Sequence, residues 1–127
     1  MRDNRRKMTI SEYYESIQPV VRNSPEHRRL ALMAADEAER VLMFFERENH
    51  DDDRPRLAIE TIRDWANSKI ELSMAETRKL SLDSHAAARS AKTDAARFSA
   101  RAAGQAVATW HVPKHAIGAE WYAEKVG

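Results

Sequence analysis

Cysteine is absent from the sequence. That excludes structural disulfides and thiolate metal sites, and it suits a reducing cytoplasm. Helix breakers are scarce, with 3 Gly and 4 Pro in 127 residues. No stretch approaches the roughly 20 apolar residues of a membrane span. The start, "MRDNRRKMTISEYYESIQ", lacks the apolar run of a signal peptide. A soluble, cytoplasmic protein with no membrane partner is the expectation. An excess of one charge is also missing: 21 Lys and Arg stand against 20 Asp and Glu. So balanced a chain has no broad electrostatic pull toward nucleic acid. The one basic cluster, Arg2, Arg5, Arg6 and Lys7, reads as a solvated, frayed terminus rather than a nucleic-acid arm.

What is present is alanine, the strongest helix former, with few β-branched residues and no long period-two alternation. The length fits one domain able to bury a core. The fold class expected is all-α: a single-domain bundle of about five to six helices with short connections. Caps place the helices. Thr9 with Glu12 has capping-box spacing and opens a short helix to about Pro19. Ser24 caps a helix with Pro25 in its first turn, running to Glu48. After the polar break Asn49–Asp53, Asp53 is the expected cap of a helix ending near Lys69. Ser73 with Glu76 opens the next, to about Ala91. Thr93 or Asp94 caps a fifth helix ending near His111, and Pro113 opens the last.

Helical periodicity gives the second helix an apolar arc of Leu30, Met33, Ala34, Ala38, Val41, Leu42, Phe44 and Phe45. Glu37 falls inside this arc, where a long side chain can still reach its edge. The helix from Thr93 is apolar around more than half its circumference, with Ala102, Ala103, Ala106 and Val107 together. It should be central, its alanines and Gly104 admitting large residues from neighbouring helices. The third helix should bury Leu57, Ala58, Ile62, Trp65 and Ile70. The fourth has a weaker face around Leu80, Ser84, Ala87 and Ala88.

Five histidines could carry chemistry. His27, in a charged first turn, and His50, in the polar break, are expected to be solvated. His85, His111 and His115 each border an apolar face. Neutral imidazole can ligate a metal or shuttle a proton near neutral pH. His111 and His115 are four apart, as in HExxH, but Pro113 interrupts the helix and no Glu lies between them. They read first as residues of a helix corner, capping terminal carbonyls. "DDDRP" lacks the glycine and spaced oxygens of an EF-hand loop, so a helix cap is expected there. No nucleophile-elbow, P-loop or dinucleotide motif occurs.

Three stretches, "AADEAERVLMFFE", "DDRPRLAIETIRDWANS" and "SHAAARSA…ARAAGQAVATWHVPKHAIGAEWYA", resemble a bacterial immunity-protein family, the immunity-protein-five-like domain. The resemblance covers about Ser24–Val126. It divides the chain into an N-terminal segment with a short helix, 1–23, and a helical immunity-like domain, 24–127. It implies a small helical protein that neutralises a toxin by binding, with no cofactor and no established enzyme activity. The family's recurring polar positions match Asp36, Glu39, Asp53, Arg54, His85, His111 and His115. Glu37 stands where the family carries Cys, which weakens any thiol or metal role at that position.

Two functional readings follow. The first is a non-enzymatic interaction protein whose partner is another protein, a toxin on the family's pattern, with Glu48–Asp53 and Arg54 as one candidate surface. The second is a small metal-dependent or acid–base enzyme using His85, His111, His115 and a nearby carboxylate. Assembly into a homo-oligomer is compatible with either.

Overall fold

The computed structural model describes residues 7–127, so Arg2, Arg5 and Arg6 lie outside the described residues. Six helices follow in order: α1 (Ile10–Ser16), α2 (Pro25–Glu48), α3 (Arg54–Ala66), α4 (Met74–Ser90), α5 (Asp94–Ala108) and α6 (His115–Val126), with no strand among the described residues. No described helix is long and apolar enough to cross a membrane.

Short polar side chains start four of these helices. Thr9 and Ser73 each accept a hydrogen bond from the N–H three residues on, while Glu12 and Glu76 reach back to the cap N–H. Ser24 and Thr93 accept from the N–H groups of His27 and Ala96. α3 departs from expectation. Asp53 makes no side-chain cap bond. Asp52 instead accepts from the Arg54 N–H at 3.1 Å and pairs with the same residue's guanidinium at 2.9 and 2.7 Å.

Three helices end earlier than their apolar patterns suggest. α1 stops at Ser16, because the residue before Pro19 is barred from helical dihedrals. α3 stops at Ala66, where Ser68 takes a left-handed φ of 61°. The Lys69 N–H then bonds to the Asp64 carbonyl and the Ser68 N–H to the Trp65 carbonyl, a Schellman closure with serine in the usual glycine position. α5 stops at Ala108 as the chain tightens into i→i+3 bonds through His111. Pro113 lies in the corner, and α6 begins at His115.

α5 is the central rod. It packs against α2, α3, α4 and α6, with Ala96, Ala100, Ala102, Ala103, Gly104, Ala106 and Val107 all buried. Larger residues from neighbours fill the space these small ones leave: Phe45 of α2 sits among Ala87, Ala88, Ala91, Ala96 and Ala100. Serine hydroxyls bind the rods where they approach. Ser84 donates to the Ala100 carbonyl at 2.7 Å, Ser81 to Gly104 at 3.0 Å, and Ser99 to Val41 at 2.8 Å. Ile10 brings α1 into the same core as Leu30, Ile59, Ile62 and Ala119. Phe44, Leu57, Ile70 and Met74 do not join it. They are 38%, 48%, 39% and 37% exposed: Phe44, Leu57 and Met74 lie at the edges of their apolar arcs, and Ile70 falls in the α3–α4 connection, beyond the early end of α3. Glu37 reaches its arc's edge and takes the Arg40 guanidinium at 2.8 Å.

Candidate functional site

His85 and His115 flank α5 from α4 and α6. The ring of His85 lies directly over Gly104, where an added Cβ would meet its Nε2 at 2.7 Å and Cε1 at 2.9 Å. Glycine is required there by the closeness of the ring, not by the backbone. His85 Nδ1 is buried with no hydrogen-bond partner. Burial above all, helped by Arg101, Arg89 and His115, lowers the His85 pKa from 6.5 to about 4. The imidazole is therefore neutral at physiological pH. His115 Nδ1 donates to Gln105 Oε1 at 2.8 Å, which fixes its proton on that nitrogen. Its pKa is lowered too, by burial and then by His111. Gly118 gives Gln105 room to reach this bond, since a Cβ there would meet Oε1 at 2.7 Å.

His111 sits on the exposed corner, near enough to His115 for its charge to act on that ring, and its carbonyl accepts from Arg22 Nη1 at 2.7 Å. The imidazole that caps the end of α5 is His27, which overturns the expectation that it is solvated. His27 is 0% exposed. Its Nδ1 accepts from the Asn23 N–H at 3.0 Å, so Nε2 carries the proton and donates to the Thr109 carbonyl at 2.8 Å. Burial lowers its pKa, and the charges of Arg22 and Arg28 add to this against the Thr109 bond. The sequence does hold a signal for it. Residue 27 extends the buried stripe Leu30, Ala31, Ala34, Ala38 back by one turn. His50 is solvated, 3.7 Å from the equally exposed Asp51. Among the described residues, no three His, Asp or Glu side chains are grouped to hold a metal ion.

The acidic candidates separate into structural pairs. Asp36 and Glu39 both take Arg63 of α3, at 2.9 and 2.6 Å. Arg54 is occupied by Asp52, and Asp53 is exposed without a cap bond. Glu48, from the expected acidic surface, is spent at the start of α5 instead. It accepts from the N–H groups of Lys92 and Thr93 at 2.7 and 3.0 Å and from the Thr93 hydroxyl at 2.8 Å. Those bonds, Lys92 first, lower its pKa from 4.5 to about 2. The seven candidate positions thus fall in separate places: Asp36 with Glu39, Asp53 beside Arg54, and the histidines around α5.

One group of side chains has no signature in the local sequence pattern. Arg22, Arg28 and Arg29 place their guanidiniums over Trp110, Trp65 and Tyr13 at 5.2, 4.5 and 5.3 Å. These contacts join residues 37 to 88 positions apart for two of the three pairs, and no local spacing announces them. The family model described as Imm-5 like putative immunity protein matches residues 22–126. No curated protein and no solved structure matches the chain.

Proposed function

The chain belongs to the Imm-5 like putative immunity protein family, and from that premise we propose that it binds a toxin protein and neutralises it by contact rather than by chemistry. The family match across residues 22–126 carries this reading. The site geometry supports it: His27 and His115 are spent on hydrogen bonds between elements, His85 is packed neutral against a glycine, and the acids hold α2 to α3 or cap a helix. A metal-dependent enzyme would need three or more ligands around one point, and the described residues hold no such group.

The test is co-expression with secreted toxins of the same cell, reading growth and complex formation by size exclusion. Restored growth together with a stable complex is the expected result. Failure to bind or neutralise any of them removes the immunity assignment. In parallel, a chelator should leave the denaturation midpoint unchanged, and about one tightly held metal ion per chain would favour the enzyme instead.

A further inference from the structure

Two clefts adjoin where the α1–α2 connection, the start of α2 and the α3–α4 connection meet. One, of about 620 Å³, lies between Trp65, the 68–72 connection and Trp110. The other, of about 580 Å³, lies between Tyr13, Arg29 and Ala66. They share Asn23 and Arg28.

Several cations among the described residues, Arg47 and Arg101 included, have no carboxylate partner; those here are gathered at one place and, for the arginines, stacked on rings. Arg40, Arg54, Arg56, Arg63 and Arg97 each pair with a carboxylate. Among the described residues Arg22, Arg28, Arg29 and Lys69 have none. Arg28 and Arg22 each give one N–H to a carbonyl, of Trp65 and His111. Stacking over a ring holds a guanidinium in place while its in-plane donors stay available. Fixed, unpaired arginines beside tryptophan and tyrosine are the composition in which binding energy concentrates at protein interfaces. Ile70 and Leu72 add apolar lining.

We infer that this double cleft is the docking site for an acidic segment of a partner protein, its carboxylates meeting Arg29 and Lys69 in the lining and Arg22 beside Trp110 at the edge, and an apolar side chain resting on Ile70 and Leu72. This rests on the binding role proposed above and names the partner's chemistry. Glu26 and Glu71 line the same clefts, so the segment's carboxylates must be few and spaced to meet the cations alone, which a polyanion with a phosphate at every nucleotide cannot do.

The test uses the full chain and a fluorescein-labelled peptide of alternating Glu and Leu, with an alternating Lys and Leu peptide and a single-stranded oligonucleotide as comparisons. The acidic peptide should shift the indole N–H signals of Trp65 and Trp110 in ¹H–¹⁵N spectra. The double variant R29E/K69E should weaken that binding by at least about tenfold. Both side chains are exposed, so its thermal midpoint should match the parent's. Equal binding of the basic peptide, tighter binding of the oligonucleotide, or shifts away from these residues overturns the inference. The two proposals fail separately. A toxin neutralised equally by R29E/K69E removes the cleft and keeps the immunity role. Acidic-peptide binding at the cleft with no toxin neutralised does the reverse.

Discussion

Three of the five imidazoles are held neutral by burial, and that makes acid the sensitive side of this protein's stability. His27, His85 and His115 all have lowered pKa values in the folded chain. The unfolded chain then binds more protons as pH falls below the ordinary histidine value. For His85 the contribution is fully present above about 6.5 and is lost on the way down to about 4. At roughly 1.4 kcal/mol per pH unit this amounts to at most about 3.5 kcal/mol, with about 2 kcal/mol of it lost by pH 5. Urea denaturation at pH 7 and pH 5 should show the loss, and His85→Phe should reduce it. The variant should cost little at pH 7, because Nδ1 has no bond to forfeit. An unchanged pH dependence in the variant would assign the effect to other groups. His27→Ala should behave differently. It strands the Thr109 carbonyl and the Asn23 N–H and leaves a void beside Trp65, a loss of about 2–4 kcal/mol at neutral pH. The difference between these two histidines was only partly legible in the sequence. Its stripe places residue 27 inside, but the acceptor is 82 positions away. The seat of the His85 ring on Gly104 is likewise a fact of two packed helices, not of either alone.

Four helix starts were legible because their caps are local; α3 and α6, where no side chain caps, had no such signal. The Thr9–Glu12 and Ser73–Glu76 boxes lie within one turn and form as their spacing predicts. The stop of α3 was not, since Ser68 gives no glycine signal for its left-handed backbone. The central position of α5 was legible for a broader reason: a rod apolar over most of its circumference has to be covered on most sides. Two substitutions test its packing. Ala102→Leu or Ala106→Leu puts extra carbons where each residue is fully buried, and should cost about 1–3 kcal/mol in chemical denaturation. Gly104→Ala is more discriminating. Alanine raises helix propensity by about 1 kcal/mol, yet its Cβ collides with the ring of His85. The change should destabilise the parent and stabilise a His85→Ala chain. Equal effects in both backgrounds would show that His85 does not set the demand for glycine.

At the scale of the whole molecule, the segment before α2 and the far end of the chain are tied by one carboxylate. Glu120 of α6 is 7% exposed. It accepts from the Ile10 N–H at 2.8 Å and from the N–H and hydroxyl of Ser11 at 3.3 and 3.1 Å. α1 thereby gains a second acceptor at its N-terminus beyond Thr9, and a negative charge meets the positive end of its dipole. The same contact sets Ile10 against Leu30 and Ala119. A chain beginning at Ser24 would lose the apolar burial of Ile10, worth about 2–3 kcal/mol. It would also leave the Glu120 carboxylate without protein donors, at about 1–3 kcal/mol more unless water enters. The shortened chain should remain helical by circular dichroism but unfold at a clearly lower urea concentration. Glu120→Gln in the full chain should reproduce only part of that loss, since Ile10 stays buried. Matching midpoints for the shortened and full chains would mean that α1 rests on a bundle already complete without it. A large gap would make residues 7–23 part of the folding unit, in keeping with the core they share through Ile10 and with the Glu120 carboxylate that holds Ile10 and Ser11.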